Sequence, residues 1–327
     1  LIERWSRREV LGAALAVGAS LGCSHKADVV VKTGADKEFT GAQIDADPVP
    51  LLPGDAIGVL SIDAPALFNS SFGDRVRAVV EKRLPLPPSA DFEPKRDLDH
   101  VWLGFYSMQG ADVAGVATGH FDRDKIEASA DGVQPTALGV PVVKTSYAGR
   151  TLYTAGTVGF SVLTAKTALI GNDTGMRRTL DRIQEGRVKR QLPEYMDKLL
   201  AASKAPIIGG FDFTSNPLPD ATRQDLAFLK GVKTLSLVGN FDDPGLNLAG
   251  TLSYEDADAA QRGAQNLIAL RQLVERYAPF LALLGIAQPV RQLEAEPKDK
   301  DVSFVLAVDG AAVAALLDRA QDMLVPH

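Results

Sequence analysis

The chain has 327 residues, 46% hydrophobic and 23% charged, which are ordinary proportions for globular protein in a length that exceeds one typical domain. A net charge of −6 leaves no basic surplus to neutralise phosphates, so nucleic acid is not an expected partner. With one cysteine in the whole chain there is no intramolecular disulfide and no thiolate metal cluster.

The first element is a leader. Ser6-Arg7-Arg8-Glu9-Val10-Leu11 places two arginines ahead of an uncharged Ala/Gly/Leu/Val run that reaches Gly22. That run suits the apolar region of a signal peptide and falls short of the ~20 residues that cross a bilayer. The motif resembles the twin-arginine export consensus Ser-Arg-Arg-x-Phe-Leu, with Val10 in place of Phe. Ser20-Leu21-Gly22-Cys23 resembles a lipobox, with Ser20 where Leu is commonest. The resemblance implies export of the folded protein guided by Arg7 and Arg8, lipidation of Cys23, and a membrane-anchored body facing the periplasm. Ser24 rather than Asp after the cysteine points to the outer membrane. The competing reading is an ordinary basic signal-peptide start with Cys23 an incidental thiol.

Residues 24–53 are polar and punctuated by Pro48, Pro50 and Pro53, with Val29-Val30-Val31 as one short strand candidate. The composition predicts a flexible tether. A first α+β unit is expected over 54–200. It starts with a strand at Ile57 to Ile62 and a helix from Pro65 to Leu84. Strands follow at His100 to Ser107 and Val113 to Phe121, then a short helix started by Asp122 and Asp124. Val142 to Tyr147 and Arg150 to Thr154 bracket Ala148-Gly149, a hairpin signal. A strand from Phe160 to Ile170 leads to Asn172-Asp173-Thr174, which caps a helix through Gln184.

A second unit is expected over 201–327 with the same order. Strands at Ile207 to Phe213, Lys233 to Asp242 and Leu246 to Tyr254 precede a helix from Asp256. A hairpin joins Val290 to Glu296 with Asp301 to Val308, and Ala311 to Leu324 closes the chain as a helix. Thr179-Leu180-Asp181-Arg182-Ile183-Gln184 and Leu316-Leu317-Asp318-Arg319-Ala320-Gln321 share Leu, Asp, Arg and Gln at matching places. The fold class is therefore α+β in two similar units, each a mainly antiparallel sheet with helices on one face. Chance likeness of short Ala/Leu/Asp helices is the alternative. Leader and strand–helix rhythm together, from Pro53-Gly54-Asp55-Ala56 onward, are similar to twin-arginine-exported bacterial envelope lipoproteins with duplicated α+β bodies. That resemblance supplies no catalytic residue.

Chemistry-bearing residues are sparse. Of four histidines, His25 lies beside the anchor and His327 at the end, leaving His100 and His120. His120 sits in Gly119-His120-Phe121-Asp122-Arg123-Asp124, read as a strand end and helix cap or as a small polar cluster. Ser161, in Gly159-Phe160-Ser161-Val162-Leu163, lacks the second glycine of a nucleophile elbow and reads as a sheet residue. Gly171-Asn172-Asp173-Thr174-Gly175 reads as a cap rather than an anion site, because Asp173 would repel an anion. Asp97/Asp99, Asp122/Asp124 and Glu255/Asp256/Asp258 read as turns and caps, since glycosidase carboxylates converge from separate elements. No EF-hand loop, phosphate loop or dinucleotide fingerprint occurs, so no metal and no cofactor is expected. Gln265 to Ala287 loses all charge after Pro279. It reads as a buried helix or as an apolar surface that meets a lipid or a partner.

The function expected from these features is a lipid-anchored envelope protein with a non-enzymatic binding or assembly role, its partners being the membrane through the anchor and an envelope protein or apolar ligand. The alternative is an envelope enzyme with a site between the two units.

Overall fold

The computed structural model describes residues 39–83, 86, 88–107, 112–129, 140–218, 224, 226–283 and 289–323. Arg7, Arg8, Cys23, the candidate strand at Val29-Val30-Val31 and the end of the Gln265 to Ala287 stretch lie outside the described residues.

Twelve strands form one antiparallel sheet. They are β1 (Gly58–Asp63), β2 (Leu98–Ser107), β3 (Asp112–Gly119), β4 (Val143–Tyr147), β5 (Arg150–Ala155), β6 (Val158–Val162), β7 (Thr167–Gly171), β8 (Ile207–Asp212), β9 (Val232–Asn240), β10 (Gly245–Tyr254), β11 (Val290–Lys298) and β12 (Asp301–Asp309). The order is β11-β12-β10-β9-β8-β1-β2-β3-β7-β6-β5-β4. Outward from the central β8–β1 pair, one side runs β1, β2, β3, β7, β6 and the other β8, β9, β10, β12, β11; β5 and β4 extend only the first. The α+β class with an antiparallel sheet holds. In place of a sheet in each expected unit there is one ladder, because β1 pairs with β8 from Gly58↔Phe211 to Ile62↔Ile207.

Helices on one face is a second expectation the structure corrects. One face of the first side meets α2 (Ala64–Phe68), α3 (Gly73–Arg83), α4 (Pro94–Asp97) and α5 (Arg123–Ser129). The other face lays Val59, Val116, Leu169 and Ile208 against α1 (Gly41–Ala46), α6 (Asp173–Gln184) and α7 (Glu194–Ala202), sharing one core with Ile44, Met176, Leu180 and Met196. On the second side α8 (Ala257–Leu283) packs on the Leu235/Leu252 face, and α9 (Gly310–Met323) packs against α3 with Arg75 bridging Asp318 at 3.0 Å.

The flexible tether over 24–53 is corrected for its described part. Thr40 and Gln43 form a capping box, Ile44 and Leu51 are fully buried, and Asp45 accepts hydrogen bonds from Thr164 (2.5 Å) and Thr167 (2.8 Å). The prolines here fix a 3₁₀ turn over Val49–Leu51 that delivers apolar side chains to the core. The helix expected from Pro65 to Leu84 is two. Asp63 caps the first at the Ala66 amide (2.7 Å), and the second begins where Gly73 passes so close to the Phe68 carbonyl that a Cβ would collide with it. The strand expected from Phe160 to Ile170 also breaks, because Thr164 Oγ1 accepts from the amides of Lys166 and Thr167 and turns the chain. α7 was not anticipated, although Met196, Leu199 and Leu200 carry a helical apolar spacing behind Pro193. Ala148 and Gly149 do make the expected hairpin, both at positive φ (48° and 71°) as a tight primed turn requires.

Candidate functional site

Two cross-strand rows build the floor of an apolar cavity on the α2–α5 face. Ile62, Val101, Ala117, Ala168 and Val162 face one another across five strands, and Leu103, Ile170 and Phe160 continue the next row. Leu67 and Phe68 of α2, Val80 of α3 and Ile126 of α5 form the roof, with Phe92 and Phe121 at one end. Every lining residue is apolar, and the volume is about 230 Å³. Val101 and Leu103 lie on an interior strand beneath helices and are still only half-buried. A close-packed interior would cover them completely.

A second cavity of about 350 Å³ lies on the same face of the other side, between α8 and the β9–β12 strands. Its floor includes Leu235, Leu252, Leu306 and Leu293, and its roof Phe228, Leu267, Leu270 and Val274. Arg271 is the one polar residue in its wall and is tied to Glu275 (2.8 Å). The described part of the charge-poor Gln265 to Ala287 stretch therefore borders this space through Leu267 and Leu270, while Ile268 points outward and is exposed.

Next to the first cavity is a polar basin of about 320 Å³ lined by Asp91, Arg96, Asp97, His120, Asp122 and Lys125, with Phe92, Phe121 and Ile126 as walls common to both. It exists because Gly119 passes against Asp97, where a Cβ would strike the Asp97 carbonyl, and His120 donates its amide to that carbonyl (2.8 Å). Asp97 is buried and accepts Arg96 on both oxygens (2.7 Å each) and the Glu93 amide (2.8 Å). Burial opposes ionisation there, but these bonds hold the carboxyl below the usual carboxylate range. Lys125 bridges Asp91 (2.9 Å) and Asp122 (3.5 Å), and its hydrogen bond lowers the Asp91 pKa. Of these residues the sequence singled out His120, Asp97 and Asp122. Asp91, Arg96 and Lys125 were missed, because only the β2–β3 pairing brings 91–97 against 120–126.

The remaining sequence candidates do not converge. Ser161 is fully buried and donates to the Thr151 carbonyl (2.7 Å) as a sheet residue. Asn172 caps the Gly175 amide (2.9 Å), and Asp173 pairs with Arg177 (2.6 Å). Asp256 caps the Ala259 amide (2.7 Å), and Glu255 lies 3.7 Å from Lys233. Among the described residues no three His, Cys, Asp or Glu side chains are placed to hold a metal ion.

His100 has the more unusual environment. Its Nε2 lies 2.7 Å from Ser61 Oγ, its ring centroid 4.1 Å from that of Trp102, and Asp63 faces it across the β1–β2 ladder. The serine is buried, and β1 is paired along both edges, with β2 and with β8, so the ladder amides flanking Ser61 are not free to form an oxyanion hole. The boundary between the two sides is likewise a hydrogen-bonded strand pair rather than a cleft.

No protein-family model matches the chain, and no curated protein matches it. Its fold is similar to that of TP0453. Crystal form I aligns with a TM-score of 0.50 at 10% identity over 84% of this chain and 97% of that one. Form III gives the same score and identity over 84% and 98%, and form IV scores 0.50 at 11% identity over 83% and 96%. At such identity the likeness shows the fold alone: a large antiparallel sheet carrying helices. Among the described residues no helix is long and apolar enough to cross a membrane.

Proposed function

We propose that this is an exported, lipid-anchored envelope protein whose body holds hydrocarbon chains without transforming them. Arg7 and Arg8 would direct export and Cys23 would carry the anchor, as the leader's resemblance implies. The observation that carries the binding role is the wholly apolar wall of the first cavity. A space of about 230 Å³ with no polar group in its wall offers water no hydrogen-bond partner, whereas a hydrocarbon chain leaves water favourably on entering it. A ~150 Å³ apolar cavity accepts a benzene ring, so by proportion this one suits about nine carbons.

We also read the two sides as a duplication. Support comes from strand order outward from β8–β1, and from a cavity in each half under the helix that follows its third strand, α5 after β3 and α8 after β10. The shared hexapeptide supports it less. Leu180 is buried, whereas Leu317 is half-buried and its neighbour Leu316 exposed.

The test is calorimetric titration of the full chain, carrying Cys23→Ser so that no detergent is needed, with monoacylglycerols of increasing chain length. Affinity should rise up to about fourfold per methylene and level off near nine or ten carbons in the first cavity. Ala117→Met, which puts a longer side chain into that floor, should remove one class of site. Affinity independent of chain length would sink the reading.

A further inference from the structure

The polar basin and the first cavity are walled by the same three side chains, so a chain in one brings whatever it is attached to into the other. Phe92 and Phe121 stack with centroids 5.8 Å apart and planes 10° from parallel, an apolar step between the two spaces. Beyond that step the charges are unevenly committed. Arg96 spends Nε and Nη2 on Asp97 and Nη2 also on the Asp91 carbonyl (2.5 Å), which leaves no open fork for an incoming anion. Lys125 is shared by two carboxylates. Asp91 and Asp122 are more than half exposed, and an ionised carboxylate has about four acceptor positions, more than the structure uses. Three carboxylates face two cations, with the exposed imidazole of His120 beside them.

We infer that the first cavity and its basin together take a single-chain amphiphile whose head group donates hydrogen bonds and carries no net negative charge. This rests on the chain-holding reading above and adds the head-group chemistry. Hydroxyl or ammonium donors would meet Asp91 and Asp122, whereas a carboxylate head would face those same oxygens with both cations already engaged.

Three ten-carbon probes separate the possibilities: monodecanoylglycerol, decylammonium and decanoate, titrated into the full chain carrying Cys23→Ser at pH 8, above the ordinary imidazole range. The glycerol and ammonium heads should bind at least about fivefold more tightly than decanoate, the scale of one exposed charge interaction. Asp91→Asn with Asp122→Asn keeps a residue that tolerates the positive φ of position 91 (51°) and one that still caps the Lys125 amide, yet removes both exposed charges. In that variant the discrimination against decanoate should vanish or reverse. Ala117→Met should remove the discriminating site. Equal binding of all three probes, a ranking unchanged in the double variant, or discrimination that survives Ala117→Met would each overturn the head-group inference while leaving chain binding intact. If no probe binds, the chain-holding reading falls as well.

Discussion

Ser61 and His100 are joined by a 2.7 Å hydrogen bond across the β1–β2 ladder. Burial lowers the imidazole pKa against the opposing pull of Asp63. A base with a depressed folded pKa binds its proton more readily in the unfolded chain. Stability is therefore complete above the unfolded value of about 6.5 and is lost as pH falls from there toward the folded value. Urea midpoints of the full chain should drop between pH 7.5 and 5, and His100→Gln should flatten that part of the slope. An equal slope in the variant would show that other groups set it.

Gly263 lies within α8 against the hydroxyl end of Tyr254, whose hydroxyl donates to the Phe228 carbonyl (2.6 Å). Helix propensity alone would make Gly263→Ala stabilising by about 1 kcal/mol. The new methyl would instead run into the hydroxyl end of a side chain that is 2% exposed and held there by the Phe228 carbonyl, and overpacking of this kind costs about 1–3 kcal/mol. The expected net effect is destabilisation. Tyr254→Leu together with Gly263→Ala should be more stable than additivity predicts, which a double-mutant cycle in denaturant measures.

These two contacts also show which parts of the molecule were legible in the sequence. The Ala148-Gly149 turn, the Asn172 cap and the sheet role of Ser161 are decided within a few residues, and those readings hold. His100 against Ser61 and Asp91 against Lys125 depend on which strands pair and in what register, and short patterns do not specify that. The cavity was invisible for the same reason. Val101, Ala117 and Ala168 are ordinary strand residues until the β2–β3–β7 register lines them up on one face. The six-residue α1 was missed because so short a helix has little stability of its own and forms where Ile44 finds the core.

Ile44 gives a direct test of that segment's place in the body. It is fully buried beside Leu51, Leu152 and Leu163, so Ile44→Ala should cost about 2–5 kcal/mol, the range for truncating a core aliphatic. Asp45→Ala leaves the Thr164 and Thr167 hydroxyls without their acceptor and should cost about 1–3 kcal/mol more than a surface change. A flexible tether would tolerate both, and thermal unfolding of the two variants separates the cases.

The leader makes the last prediction. If Cys23 is acylated, the protein should partition with membranes through its acyl chains, each buried methylene contributing about 0.8 kcal/mol and one chain alone being marginal. Mass spectrometry of the membrane-extracted N-terminus should find Cys23 as a diacylated or triacylated first residue. Cys23→Ser removes the acceptor thiol and should abolish that mass, whereas Arg7→Lys with Arg8→Lys keeps the charge and removes the paired guanidinium signal, so unexported chain should accumulate. An unmodified Cys23 on a chain that retains Leu1 would rule out lipidation. The chain-binding and head-group tests would stand, because they use the Cys23→Ser chain and depend only on the α2–α5 face of the sheet.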